Sequence, residues 1–214
     1  MTTIEDNIKA IRATLPQGVT LVCVSKFHPA ESIQAAYDAG EREFGESRVQ
    51  ELCTKYEVLP KDIRWHFIGH LQTNKVRQII SFVHLIQSVD SLRLLHVIEA
   101  EAARINRVVD VLLEVHVAQE DTKSGFSIEE LEEAMCRTKE LEHVRVCGLM
   151  TMATNTADEK EIHRCFRQVR DIAIRHGLDN KILSFGMSDD YMLAIEDGST
   201  MVRIGSRIFG ERQY

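Results

Sequence analysis

Proline is scarce in this 214-residue sequence, with 3 in all, and tryptophan occurs once. So little proline argues against a polyproline or low-complexity chain. Paired cysteines are missing too: Cys23, Cys53, Cys136, Cys147 and Cys165 are odd in number, scattered, and never form a C-x-x-C. That excludes a disulfide framework and suits the reduced thiols of a cytoplasmic protein. No apolar run is long enough for a membrane span, and the N-terminus lacks the basic start and apolar block of a secretory leader. Cations are outnumbered, 26 Lys and Arg against 33 Asp and Glu, so the net charge of −7 speaks against a nucleic-acid partner. No G-x-G-x-x-G follows the first apolar run, which removes the main signature of an open dinucleotide-binding sheet. The remainder, 44% hydrophobic and 28% charged, is ordinary for a globular chain long enough for one large domain, residues 1–214.

What is present is an alternation. Ile4, Ile8, Ile11 and Leu15 recur at helical spacing and predict an amphipathic helix ahead of the first strand. Leu21-Val22-Cys23-Val24 reads as a buried strand running into Ser25-Lys26, and Pro29 fits the first turn of the helix that follows. Ile33, Ala36 and Tyr37 share a face of that helix before Gly40 ends it. Further strands are predicted at Glu43–Gly45, Arg64–Ile68, Val83–Val89, Val108–Val117, Val144–Leu149, Ile182–Phe185 and Met201–Ile204. Helices fall between them. One polar helix begins at Glu46-Ser47, and two open on capping boxes, Ser127 with Glu130 and Thr156 with Glu159. Eight strands separated by helices predict a parallel sheet closed into a (β/α)8 TIM barrel.

A barrel gathers the carboxyl ends of its strands at one mouth, where chemistry is usually carried out. Lys26, Ser47, His70, Asp90, His116, Met150, Thr151, Ser188, Arg203, Gly205 and Ser206 fall there. A partly desolvated lysine can attack an aldehyde. The loops after strands seven and eight, Gly186-Met187-Ser188-Asp189 and Gly205-Ser206-Arg207, occupy the usual phosphate position of this fold. Their small residues and hydroxyls suit an anion. Arg203 sits in an otherwise apolar strand and needs a partner, because it does not shed its proton. That partner is either a ligand or a carboxylate, with Glu43, Glu46 and Glu114 as candidates. Lysine, arginine and phosphate cup on one rim describe a pocket for pyridoxal 5'-phosphate (PLP).

The segments Val24-Ser25-Lys26, Phe44-Gly45-Glu46, Trp65-His66-Phe67-Ile68-Gly69-His70-Leu71-Gln72-Thr73-Asn74-Lys75, Gly148-Leu149-Met150-Thr151-Met152, Phe185-Gly186-Met187-Ser188 with Asp190, and Val202-Arg203-Ile204-Gly205-Ser206-Arg207-Ile208-Phe209-Gly210 resemble the pyridoxal phosphate homeostasis proteins, the YggS/PROSC group. The resemblance runs in order from Leu21 to the C-terminus. It implies a barrel of the alanine racemase N-terminal type with an extra N-terminal helix. By the same resemblance Lys26 would form a Schiff base with the cofactor aldehyde, and Arg203 would donate to the pyridine nitrogen. Ser188, Gly205 and Ser206 would hold the phosphate, while Met187 and Met150 would pack nearby. His70 joins this set. So does Ser47, which stands where the family commonly has asparagine, leaving a contact that is shorter, water-mediated or absent.

Three functions are compatible with these residues. The first is a cytoplasmic, monomeric PLP-binding protein without catalysis of its own, serving vitamin B6 homeostasis and amino-acid and keto-acid balance. Its partners would be PLP and PLP-dependent apoenzymes, with no nucleic acid or membrane. An arginine at the ring nitrogen makes PLP a weaker electron sink, and the chain ends at Tyr214 without a racemase's second domain. The second is a weak PLP-dependent enzyme such as an amino-acid racemase, with His70 or His116 as its second base. The third is a metallohydrolase built on His66, His70 and His116, although His66 and His70 do not share a helix face.

Overall fold

Eight short runs of largely apolar residues become parallel strands that close on one another in sequence order among the described residues. The computed structural model describes residues 3–118, 124–178 and 180–210. The strands are β1 (Thr20–Val24), β2 (Glu43–Glu46), β3 (Arg64–Phe67), β4 (Leu85–Val89), β5 (Val109–Glu114), β6 (Val144–Met150), β7 (Ile182–Ser184) and β8 (Met201–Ile204). Closure is made by β1 against β8, in register from Thr20↔Met201 to Cys23↔Ile204. The helices are α1 (Ile4–Arg12), α2 (Ala30–Asp38), α3 (Val49–Val58), α4 (Val76–Ile79), α5 (Leu92–Arg104), α6 (Ile128–Arg137), α7 (Glu159–Arg175), α8 (Tyr191–Glu196) and α9 (Ser206–Phe209). This is the expected TIM barrel with its additional N-terminal helix. No helix among the described residues is long and apolar enough to cross a membrane.

Both faces of the sheet are buried, so its strands are apolar almost throughout. Leu21, Cys23, Phe44, Trp65, Phe67 and Ile86 pack outward into the layer beneath the helices. Val22, Leu85, Leu112, Met150 and Met201 form a separate cluster inside the barrel. The outer layer carries most of the burial. Ile98 on α5 is fully enclosed there, and truncating such a side chain to alanine costs about 2–5 kcal/mol. One irregularity matters for the mouth. Val111 pairs with Val146 but Leu112 pairs with Gly148, so β6 carries one extra residue, Cys147. Gly148 lies at φ +152, where any Cβ would collide with the Ile182 carbonyl.

Local structure departs from the sequence reading at several ends. Glu46 does not open a helix; it completes β2, and α3 starts only at Val49. Ser25 and Lys55 claim the Glu46 carboxylate and hold it in the strand. Pro29 is the N-cap of α2 rather than its first helical residue. The Ser127–Glu130 box forms in both directions. Thr156 does not cap α7: Asp158 does, accepting from the Lys160 N–H at 3.0 Å, while Thr156 accepts the Asp158 N–H. Aspartate at this position also places a negative charge against the helix N-terminus. Leu15 lies past the end of α1 but still packs on the core. The expectation about the chain end at Tyr214 falls outside the described residues.

Candidate functional site

Lys26 is the second residue after β1, and the turn that carries it is strained. Phe27 adopts φ 67, a left-handed conformation that is an outlier for a bulky aromatic residue. The strain is held from three sides. The Phe27 N–H donates to Glu51 at 3.0 Å, the Arg48 guanidinium lies 4.5 Å from the Phe27 ring, and the His28 N–H donates to the Ser25 carbonyl at 3.1 Å. Beneath the turn lies a buried ion pair. Glu46 Oε1 accepts from Lys55 Nζ at 2.7 Å and from Ser25 Oγ at 2.6 Å, and the same ammonium donates to the Ser25 carbonyl. Burial pushes the Glu46 carboxyl up against the opposing pull of Lys55. Strain maintained in this way is a recurrent property of functional turns.

Across the mouth, the loops after β7 and β8 meet. Gly186 turns sharply at φ +93, where a Cβ would lie 2.6 Å from the Ala194 methyl. Asp190 Oδ1 then accepts the Met187 N–H at 2.5 Å. This turn delivers Ser188 to Ser206, whose hydroxyl donates to the Ser188 hydroxyl at 2.9 Å. Arg203 emerges from β8 beneath both. It is 4% exposed. Its Nη1 donates to the Ser184 carbonyl and hydroxyl, each at 2.7 Å, and its Nη2 donates to the Thr151 carbonyl at 3.0 Å. None of the candidate carboxylates Glu43, Glu46 or Glu114 hydrogen-bonds it. Burial lowers the arginine to about 10, with Glu114 and Asp190 opposing the shift at a distance, so the side chain remains cationic at neutral pH. Three of its five N–H groups are used. The second Nη2 hydrogen and the Nε hydrogen have no partner among the described residues.

These elements enclose a cavity of about 250 Å³. Of the candidate residues, Lys26, Met187, Ser188, Arg203, Gly205 and Ser206 line it. Three others do not. Met150 is 1% exposed and packs inside the barrel with Val22 and Leu112. Met152, two residues further along the same face, reaches the cavity instead. His70 is on the outer rim, its side chain 65% exposed, with Nδ1 2.8 Å from Asp90 Oδ2. It borders a separate cleft with Gln72 and Arg93. Ser47 packs its backbone against Gly69. Sequence reasoning missed Val24, His28, Ile68, Met152, Asp189 and Gly210 in the lining. Only the closeness of His28 to Lys26 and of Asp189 to Ser188 offered a signal. The histidines of the hydrolase reading do not meet either: His66 lies buried in the barrel interior while His70 is on the rim. No group of three His, Cys, Asp or Glu able to hold a metal occurs among the described residues.

The chain that folds around this cavity has counterparts among known proteins. Residues 1–213 match the family model of the alanine racemase N-terminal domain. The pyridoxal phosphate homeostasis protein of Aquifex aeolicus is 43% identical over 199 residues, 91% of this chain and 87% of that one. The chain belongs to the pyridoxal phosphate homeostasis proteins of the alanine racemase N-terminal domain family. Among solved structures, PipY of Synechococcus elongatus with PLP bound superposes with a TM-score of 0.90 at 35% identity, covering 97% of this chain and all of that one. An alanine racemase of Clostridium difficile superposes with a TM-score of 0.82 at 17% identity, covering 99% of this chain but 57% of the racemase. That second likeness is one of fold.

Proposed function

We propose that this chain, as one unit over residues 1–214, binds PLP and serves cellular PLP homeostasis without turning over a substrate. The observation that carries this reading is the convergence of Lys26, Arg203, Ser188 and Ser206 on a single cavity. Its volume lies just below the roughly 300–1,000 Å³ of drug-sized ligand sites, which suits one ring and one phosphate. The residues fit the group. Arg203 keeps N–H groups for a ring nitrogen. Ser188, Ser206 and the backbone at Gly205 supply donors at the phosphate position, and a Cβ on Gly205 would press to 3.1 Å from the Val24 carbonyl. Met187 and Met152 supply apolar walls. Family membership and the PLP-bound PipY structure support the same reading.

Each side chain has a task in this account. Lys26 is the residue to which the aldehyde is tethered, on a turn held rigid by Glu51, Arg48 and Ser25. Arg203 is a permanent donor, so it opposes protonation of the ring nitrogen. When bound, PLP supplies an electrophilic aldehyde and an electron-withdrawing ring, and an unprotonated ring is the weaker electron sink. Carriage rather than catalysis follows from that pairing. Neither His70 nor His116 lines the cavity, so the racemase reading lacks the base it named. We further assign the protein to the cytoplasm, with PLP-dependent apoenzymes as recipients of its cofactor. The test is a visible absorbance spectrum of purified protein with and without added PLP, beside Lys26→Ala. A band in the parent that the variant lacks supports the reading; no band in either, with PLP in excess, overturns it.

A further inference from the structure

A line of buried polar side chains crosses the barrel interior among apolar residues such as Val22, Leu85 and Leu112. Arg203 Nη1 reaches Ser184 Oγ at 2.7 Å, Ser184 Oγ reaches Gln87 Oε1 at 2.7 Å, Gln87 Nε2 reaches His66 Nδ1 at 2.8 Å, and His66 Nε2 reaches Glu43 Oε2 at 2.7 Å. His66, Gln87 and Ser184 are at most 1% exposed. At the far end Glu43 also receives Arg64, 49% exposed on the opposite mouth, at 2.5 Å. Five side chains from five of the eight strands therefore join a cation beside the cavity to an anion at the other end of the barrel.

Glu43 sets the direction of the whole chain. A carboxylate accepts, so His66 Nε2 carries the proton facing it. Gln87 Nε2 faces His66 Nδ1 and lies 3.3 Å from Met201 Sδ, so Nδ1 accepts. The Gln87 carbonyl is then left to accept the Ser184 hydroxyl, which commits its hydrogen away from the cavity. Ser184 consequently shows Arg203 a lone pair. Every donor in the chain points from Arg203 toward Glu43, so each bond polarises the next. Burial alone would raise the Glu43 carboxyl; the His66 N–H and Arg64 outweigh it and hold it below its usual range.

We propose that Gln87, His66 and Glu43 are positioning residues for the ligand-facing guanidinium of Arg203, acting through this one-way hydrogen-bond chain. The proposal rests on the reading of Arg203 as partner of the PLP ring nitrogen. Fully apolar side chains would fill the same space without the cost of burying polar groups. The chain instead occupies one Nη1 hydrogen, beside the Ser184 carbonyl on the other, and so helps fix the plane of the guanidinium. The remaining Nη2 and Nε hydrogens are thereby aimed rather than free to pivot. A Ser184 hydroxyl released from Gln87 would turn and leave one Nη1 hydrogen of Arg203 without a fixed acceptor, with only the Ser184 and Thr151 carbonyls to hold the group.

The experiment compares the parent with Gln87→Met, which keeps the volume, and with Glu43→Gln at the distant, part-exposed end. PLP affinity and the wavelength of the bound-PLP band are measured, together with the ring ¹⁵N resonances of His66 before and after PLP. In the parent, His66 carries its hydrogen on Nε2, and its resonances move when PLP is added. Gln87→Met weakens PLP binding about tenfold, the scale of one hydrogen bond to a charged group, shifts the band and silences the His66 response. Glu43→Gln gives the same changes at about two- to threefold, since only the anchor of the chain is altered. Circular dichroism confirms the fold of each, and if Gln87→Met does not fold, Glu43→Gln decides alone. A merely structural role moves the unfolding midpoint but not the band. Folded variants with parental affinity, spectrum and His66 response would overturn the proposal while leaving PLP binding intact. Failure of the parent itself to take up PLP would overturn the functional reading and this proposal together.

Discussion

The two mouths of the barrel carry similar chemistry arranged to opposite ends. The lower mouth, at the strand amino ends, has the roomier cavity, about 720 Å³, lined by Thr20, Arg145, Cys147 and Lys181 among others. Its arginines are matched there. Arg145 is held by both Asp110 oxygens at 2.7 Å, and Arg64 and His66 share Glu43. The upper mouth encloses only about 250 Å³, yet among the described residues its buried arginine hydrogen-bonds no carboxylate and the Ser206 hydroxyl donates to that of Ser188. Volume therefore does not select the ligand site. What selects it is the set of donors the protein leaves for something else to satisfy.

The sharpest way to break this contrast is to remove the buried pair that supports the upper mouth. Glu46→Ala leaves Lys55, 8% exposed, without its closest anion, and a loss of about 3–5 kcal/mol is expected in urea unfolding. Lys26→Ala comes next. It should lower PLP retention after desalting about 100-fold, the scale of a lost tether, whereas Lys181→Ala at the lower mouth should retain PLP like the parent. Ser188→Ala should weaken PLP about tenfold and leave pyridoxal, which lacks the phosphate, unchanged; equal losses for both ligands would contradict the phosphate assignment. Arg145→Ala breaks a salt bridge whose arginine is 67% exposed, so its unfolding free energy should fall by less than about 1 kcal/mol, with no change in PLP affinity.

A pH titration sharpens the comparison at the smallest scale, because β2 holds a carboxylate of each kind. Glu43 is lowered in the folded state, so its stabilising contribution is complete above its unfolded value of 4.5 and is lost as pH falls through the folded value. Glu46 is raised, so the folded state gains stability as pH falls through its folded value toward 4.5. Urea midpoints of Glu43→Gln and Glu46→Gln against the parent, from about pH 7 to about pH 3, should therefore diverge with opposite slopes. Parallel slopes would show that the two environments are misread.

Much of the upper mouth was legible in the residues. The strand running into Lys26, the paired small-residue loops at Ser188 and Ser206, and an arginine inside an apolar strand all stand where the reading placed them. Met150 was not legible in the same way. Its position near the mouth is right, but it faces the barrel interior below the cavity, and Met152, two residues on along the same face, reaches the lining. His70 was drawn in by its place after a strand. Yet Asp90 holds it on the outside.

By itself the sequence determined the alternation of strand and helix, hence a closed parallel barrel, and which residues lie at the carboxyl ends of its strands. Local periodicity and turn chemistry suffice for that, because each depends on neighbours a few residues apart. Only the tertiary structure decided which way each strand faces. In a sheet buried on both sides, inward and outward residues are equally apolar, so pattern alone does not separate them. Closure and stagger brought His28, Ile68 and Met152 to the cavity, and they joined Arg203, Ser184, Gln87, His66 and Glu43 into one line. Those five are separated by up to 160 residues, and nothing short of the closed barrel brings them into hydrogen-bond distance.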